Sequence, residues 1–208
     1  MPVESYIRRQ DKCDQSFLVS LVGQLGVPEV FDGMCLMLTI NWLIRCTTPA
    51  GPSSDLVWRN MKAEGASYFQ QIASQQRGYS QNLAKKEPFQ DSVENCLSFA
   101  SSSRLRLGPK SSQAYTNAYL LTDNMALAFR SSNTSPPSCI IMFKWPSGYH
   151  CIGAVEDMNA RGCTWYIFDP NFGVLTVDIS VGQPLISAVQ DLFTKYQILW
   201  ALSVPIMR

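Results

Sequence analysis

The chain has 208 residues, of which 46% are hydrophobic, so it is long and apolar enough for one domain with a sizeable core. Its formal net charge is +1, and neither an acidic nor a basic excess indicates binding to nucleic acid or to a membrane surface. The sequence has no long apolar run and no convincing secretory signal, which predicts no membrane span and no Sec signal peptide.

The first half of the chain has the residue patterns of helices. Apolar residues at helical spacing predict a helix over residues 14–25. A second helix, over about 34–45, is apolar nearly all round and is therefore expected to be buried. More polar helices are expected over about 54–76 and over 91–103. Residues 113–129 are ambiguous, and we expect a helix at their start.

The last third of the chain changes to short β-rich runs separated by turn sequences, which is the pattern of an antiparallel meander. A helix over about 184–196 and a last strand over about 197–204 follow. Helices first and an antiparallel sheet second predict an α+β fold. We expect a single domain over 1–208, with a helical part over about 14–130 and a sheet part over about 138–208. The β-rich runs cover residues 139–145, 149–156, 163–169 and 174–179.

The cysteines are seven in number, irregularly spaced and without a Cys-x-x-Cys pair, and the sequence has a single histidine. These features argue against a zinc-finger type of site and exclude a histidine-rich one, so no metal and no cofactor is expected. We interpret most of the cysteines as small core residues in a reducing compartment. Disulfides in an exported protein are the alternative interpretation.

Cys35 is the candidate nucleophile because it lies at or near the start of the predicted buried helix, just after Gly33. A helix N-terminus presents free N–H groups and a partial positive charge, which favour a thiolate over a thiol. The same N–H groups can stabilise the oxyanion that forms when a thiolate attacks a carbonyl. The alternative is that Cys35 is one more buried small residue.

His150 is the candidate base, and Asp169 is the carboxylate expected beside it. If the two strands pair symmetrically about a six-residue loop between Glu156 and Cys163, His150 stands directly opposite Asp169 and on the same face of the sheet. A carboxylate there would fix the imidazole tautomer and stabilise the imidazolium. A one-residue slip would separate the two side chains.

Other interpretations of these carboxylates and amides stay open. Asp169 opens an Asp-Pro-Asn-Phe-Gly turn, which would explain the residue without catalysis. Asn171 is a rival for the role of orienting His150, since papain-like enzymes also use Asn. Asp157 is rejected, because it lies at the far end of the hairpin, roughly 20 Å from His150 at the usual rise per residue.

A helix-borne Cys, a His at the start of one strand and an Asp at the end of the next follow the papain order. With these residues, the sequence resembles the YopT/AvrPphB family of bacterial effector cysteine proteases over about residues 30–200. The matching pieces are Gly33-Met34-Cys35 leading into Leu36, Leu38 and Trp42-Leu43, then Gly148-Tyr149-His150-Cys151-Ile152-Gly153, and Tyr166-Ile167-Phe168-Asp169-Pro170-Asn171-Phe172-Gly173.

The resemblance implies a papain-like fold with Cys35 as nucleophile, His150 as base and Asp169 as orienter. It also implies a secreted effector that is delivered into host cells, acts in the host cytoplasm and modifies a host protein, and we expect it to be a monomer. One departure lies upstream of Cys35, where papain-like sites place an amide donor to the oxyanion. Residues 29–32 hold carboxylates instead, and an ionised carboxylate cannot donate. The second donor is therefore Gln24, another amide, or the backbone alone.

Three functions fit the sequence. The first is a cysteine protease that cuts a host protein. The second is a protein glutamine deamidase, the reaction of OspI-like effectors on a related scaffold, or a transglutaminase or acyltransferase. These enzymes share the thiolate attack and the thioester and differ only in leaving group and acceptor. The compact chain, with 34 residues before Cys35, keeps deamidation close behind proteolysis. The third is a binding module in which the three residues have no catalytic role.

Overall fold

The computed structural model describes residues 7–10, 34–49, 53–83, 89–102, 104–109, 114–159, 162–178 and 184–208. Within these ranges the chain forms six α-helices and seven β-strands, and all strand pairs are antiparallel, so the α+β prediction is confirmed. The helix that was expected over 14–25 lies outside the described residues.

Three helices of the first part pack around the one that was predicted to be buried. That helix, α1, runs over Cys35–Cys46 and buries eight of its twelve side chains. It is followed by α2 (Ser54–Ala63), α3 (Ala66–Leu83), α4 (Phe89–Ala100) and α5 (Ala118–Ser131).

Two helix predictions need correction. The helix expected over 54–76 is two helices, because Gly65 adopts a positive φ of 77° that a continuing helix does not allow. In residues 113–129 the helix lies in the later part, because Asn117 is its N-cap. The Asn117 side chain accepts a hydrogen bond from the Leu120 N–H at 3.0 Å, which satisfies a free donor of the first turn.

The strands form one sheet with the order β1-β6-β5-β4-β3-β7-β2. Most of it comes from the last third of the chain, as predicted, but two short strands from earlier in the chain, β1 and β2, lie at its two ends. Along the chain, the last helix, α6, follows β6 and precedes β7. The bounds are β1 Ile7–Gln10, β2 Arg106–Leu107, β3 Ser138–Trp145, β4 Gly148–Asn159, β5 Gly162–Asp169, β6 Gly173–Asp178, α6 Pro184–Tyr196 and β7 Trp200–Met207.

The sheet separates two apolar cores because successive side chains of each strand point to opposite faces. One face packs against the helices α1 to α4, and the other against α5 and α6. On the first face, Trp42 of α1 stacks on Phe168 of β5 with ring centroids 5.3 Å apart. Gly153 of β4 lets α1 approach closely, since a Cβ there would lie 3.0 Å from the Trp42 ring. Truncation of Trp42 to Ala would cost about 3–5 kcal/mol.

The register of the β4–β5 hairpin differs from the predicted one by two residues. Glu156 pairs with Trp165 and not with Cys163, because the ladder continues to Asn159 and Gly162. The residues between Glu156 and Cys163 resemble a turn in sequence, but most of them belong to the ends of the two strands. A shift of two residues keeps every side chain on its predicted face, so His150 and Asp169 stay on one face, as diagonal rather than direct neighbours.

Candidate active site

The site lies where β4 loses its partner β5. The ladder between these strands ends at the Gly153–Phe168 pair, after which Asp169 pairs with Gly173 of β6. Helix α1 takes the place beside the end of β4. The Thr39 hydroxyl donates to the carbonyl oxygen of Cys151 at 3.0 Å, and the N–H of Cys151 donates to the Cys35 thiol. Both backbone groups of one strand residue therefore hold the first two turns of α1.

Cys35 is the first residue of α1, as predicted, and is half-buried. Burial raises the pKa of its thiol, but the charge and the hydrogen bond of His150 outweigh burial, together with backbone hydrogen bonds from Cys151 and Leu36. The pKa of Cys35 is lowered as a result. A lowered thiol pKa at a helix N-terminus is the signature of a reactive cysteine.

His150 joins the thiol to the carboxylate. Its ring is buried, and its Nε2 lies 3.1 Å from Asp169 Oδ1, which leaves Nδ1 for Cys35. Burial lowers the pKa of the imidazole, but the Cys35 charge and the hydrogen bond to Asp169 raise it more, to about 10. The opposite shifts of the two pKa values favour a thiolate beside an imidazolium.

Asp169 is buried and is both a turn residue and a partner of His150, so the two interpretations of this residue are compatible. Its Oδ1 accepts the Asn171 N–H at 2.8 Å, which closes the turn that follows β5. Its backbone oxygen accepts the Phe172 N–H at 3.0 Å. The carboxylate therefore reaches His150 from a backbone position that the turn itself fixes.

Asn171, the rival orienter, points elsewhere. Its side-chain nitrogen donates to the Tyr196 hydroxyl at 2.8 Å. Asp157 lies at the far end of the hairpin, where it pairs with Thr164. The structure thus brings Cys35, His150 and Asp169 together.

Tyr196 is the residue at the site that the sequence did not indicate. It is the last residue of α6 and is buried, and its hydroxyl contacts both oxygens of Asp169, at 3.1 and 2.9 Å. It is separated from His150 by 46 residues of chain. No local motif announces such a contact, because it depends on how α6 crosses the sheet.

An amide that contacts the first turn of α1 is that of Gln76 on α3. Its Oε1 accepts the Met37 N–H at 3.2 Å, and the side chain is buried. This bond satisfies one of the free donors of the first turn. Gln24 and residues 29–32, which the sequence raised in connection with the oxyanion, lie outside the described residues.

No group of three or more His, Cys, Asp or Glu side chains is arranged to hold a metal ion in the part of the chain that the structure describes. In that same part, none of the helices has both the length and the apolar character that crossing a membrane requires.

The fold with a thiol at the N-terminus of a buried helix and an imidazole on the neighbouring sheet can be compared with known proteins. In fold, this chain is similar to the Pseudomonas avirulence protein AvrPphB. The TM-score is 0.59, and the alignment covers 99% of both chains at 14% identity. The predicted resemblance and the papain-like fold are thereby confirmed at the level of the fold.

A second solved structure shares the fold. It is PatoxP, a cysteine protease-like domain of the Photorhabdus asymbiotica toxin PaTox, with a TM-score of 0.50 and 12% identity. The alignment covers 99% of this chain and 55% of that one. No family model matches the sequence, and no curated protein matches it.

Proposed function

We propose that this chain is an effector-type thiol hydrolase, and specifically a cysteine protease in which Cys35 is the nucleophile, His150 the general acid and base, and Asp169 the orienter of His150. The observation that carries the proposal is the line of contacts from Cys35, at the start of α1, to His150, whose Nε2 lies 3.1 Å from Asp169 Oδ1. In this arrangement the pKa of Cys35 is lowered and that of His150 is raised to about 10. Burial alone would shift both pKa values the other way.

The chemistry follows from these positions. The Cys35 thiolate attacks the carbonyl carbon of an amide, and the oxyanion forms at the N-terminus of α1, whose partial positive charge stabilises it. The His150 imidazolium then donates its proton to the departing nitrogen, which leaves a thioester on Cys35 and a neutral imidazole. That imidazole removes a proton from water, which attacks the thioester and restores the thiolate and the imidazolium.

Asp169 has the third role in this scheme. Its hydrogen bond at 3.1 Å occupies Nε2 of His150, so that Nδ1 is the nitrogen that exchanges a proton at Cys35. A carboxylate beside the ring also stabilises the imidazolium that the ion pair requires. It does not exchange a proton with the substrate.

The proposal extends to the setting in which the enzyme works. We propose that residues 1–208 act as one catalytic domain, since Cys35 comes from the helical part and His150 and Asp169 come from the sheet. We also propose a secreted monomer that acts on a host protein in the host cytoplasm. Likeness in fold to AvrPphB and to PatoxP supports this setting.

The test is incubation of the purified chain with a protein extract, followed by mass spectrometry of new N-termini and of glutamine side chains. The Cys35→Ala variant is the control, because it has no sulfur to form the thioester. New N-termini that appear only with the unchanged chain are expected. Conversion of glutamine to glutamate, an increase of about one mass unit without cleavage, would instead identify a deamidase. Neither product with the unchanged chain, together with an unreactive Cys35, would contradict an enzymatic function.

A further inference from the structure

A tyrosine from the far end of the chain lies directly behind the carboxylate of Asp169. The Tyr196 hydroxyl is 2.9 Å from Asp169 Oδ2 and 3.1 Å from Oδ1, and its proton can bridge the two oxygens. The same hydroxyl oxygen accepts a hydrogen bond from Asn171 Nδ2 at 2.8 Å. It lies 3.4 Å from His150 Nε2.

The ring of Tyr196 is held by aromatic neighbours, so that its hydroxyl has little freedom. Its centroid lies 5.1 Å from that of Phe143 and 5.4 Å from that of Trp145. The Phe172 ring is 5.8 Å away, and the His150 ring is 5.1 Å away at an interplanar angle of 32°. Packing therefore fixes where the hydroxyl is, and Asn171 fixes which way its proton points.

A buried carboxylate needs such donors. Removal of an ionised group from water is costly unless hydrogen bonds replace the lost solvation. Asp169 has the Asn171 N–H on Oδ1 and the Tyr196 hydroxyl on both oxygens, and these two donors come from different elements. Together they define the plane of the carboxylate, and that plane aims Oδ1 at His150 Nε2.

We propose that Tyr196 is a positioning residue of the thiol enzyme: its hydroxyl, oriented by Asn171, holds the Asp169 carboxylate in the plane that serves His150. The inference rests on the proposed function, since it assigns a part of the same catalytic site. It extends the line of contacts from Cys35, His150 and Asp169 by two members that the papain order does not include.

Tyr196 can act in this way over the whole pH range of the ion pair. Burial raises the pKa of its phenol, and the charge of Asp169 raises it further. The hydroxyl therefore stays a neutral donor while Cys35 and His150 exchange their proton. Removal of the Tyr196 hydroxyl should therefore change the strength of the His150–Asp169 contact. It should not remove a step from the pH profile, because the hydroxyl does not titrate in this range.

The experiment measures the rate constant for alkylation of Cys35 by iodoacetamide as a function of pH, with peptide mapping to identify the alkylated cysteine. Tyr196→Phe removes the hydroxyl and keeps the ring that packs on Phe143. Tyr119→Phe, on an exposed side chain of α5 that is 63% accessible, is the matched control. The profile has a step at the pH where the His150 imidazolium loses its proton, which we call the imidazolium limb. In Tyr196→Phe we expect this step to move to lower pH by about half to one unit. The control should superimpose on the unchanged chain.

A double-mutant cycle separates positioning from packing. In an Asp169→Ala background, Tyr196→Phe should have no further effect, because the carboxylate that it positions is gone. Asn171→Ala, which frees the hydroxyl without loss of ring packing, should shift the limb in the same direction by a smaller amount. It also provides the test if Tyr196→Phe does not fold.

Two outcomes would overturn the inference. One is a pH profile of Tyr196→Phe, or of Asn171→Ala should the former not fold, that matches the unchanged chain. The other is a shift of the pH profile that Tyr196→Phe causes equally in the unchanged chain and in the Asp169→Ala background. Failure of the proposed function looks different: the unchanged chain would then show an ordinary thiol profile at Cys35, before any variant is compared.

Discussion

Helix α1 begins and ends with a cysteine, and the two thiols have opposite chemistry. Cys46 is buried at the C-terminal end, where burial raises the pKa of its thiol and a hydrogen bond with Ser54 offsets this only in part. Burial also raises the pKa of Cys35, but His150 reverses the direction. The comparison indicates that burial alone keeps a thiol protonated, and that a neighbouring imidazolium favours the thiolate.

The largest expected effect is the difference in turnover between variants at the two ends of α1. Cys35→Ala should abolish turnover, because it removes the sulfur that forms the thioester beside His150. Cys46→Ala should keep the activity of the unchanged chain and lose about 1 kcal/mol of stability through the smaller side chain. Turnover on the identified substrate and thermal unfolding measure the two effects. Full activity in a folded Cys35→Ala variant would falsify the assignment of the nucleophile.

Replacement of His150 should make Cys35 resemble Cys46. Without the imidazole, burial is the largest remaining influence, so the pKa of Cys35 should rise above its ordinary value instead of falling below it. Alkylation of Cys35 in His150→Ala at neutral pH should slow by about 100-fold or more, because only the thiolate reacts. An unchanged rate would show that the helix N-terminus alone activates the thiol.

The pH profile should show the ion pair directly. Because the pKa of Cys35 is lowered, alkylation should persist below the pH at which ordinary thiols stop reacting. Turnover should fall again as the imidazolium loses its proton, near its pKa of about 10, since the leaving nitrogen then has no proton donor. For each pH unit outside this window, the turnover rate should fall by about tenfold. These limits belong to the coupled pair and not to either residue. A profile that rises only above pH 8–9 would rule out the pair.

Asp169→Ala should have a smaller effect than loss of Cys35 or His150. The hydrogen bond and the charge of Asp169 help to raise the pKa of His150, so their removal should lower that pKa and narrow the window from its alkaline side. We expect a loss of about 10- to 100-fold in turnover with the Cys35 thiolate still detectable. If the loss equals that of Cys35→Ala, then Asp169 does more than orient the imidazole.

The smallest effect is expected at Thr39, which joins α1 to β4. Thr39→Val keeps the shape of the side chain but removes the hydroxyl that donates to the Cys151 carbonyl oxygen at 3.0 Å. The variant should lose about 1 kcal/mol of stability, with a few-fold lower alkylation rate at Cys35. Thr194→Val, at an exposed position of α6, is a matched control that should change neither quantity.

The sequence predicted where Cys35, His150 and Asp169 lie better than it predicted the contacts between them. Cys35 could be placed because an apolar run with Gly33 before it indicates where a buried helix begins. His150 and Asp169 could be placed on one face because strand side chains alternate with a period of two, and the register differed from the prediction by two residues, a multiple of that period. A difference of one residue would have separated them.

Other features depend on contacts that no local pattern contains. The role of Tyr196 follows from the path of α6 across the sheet, and its residue type would equally suit the apolar face of any helix. The pairing of β1 with β6 joins segments that are more than 160 residues apart in the chain. The break at Gly65 is a local feature, but an isolated glycine is tolerated in many helices, so the sequence favoured one long helix where the structure has two.

The end of β4 that has no β5 partner also bears on the tendency of the protein to aggregate. A strand end with unused N–H and C=O groups is a template on which another chain can add a strand. Here Cys151 donates to the Cys35 sulfur and accepts from Thr39, so the contact that positions the nucleophile also covers that edge. A chain in which α1 separates from the sheet would therefore lose the proposed activity and expose a strand edge that promotes aggregation in the same event.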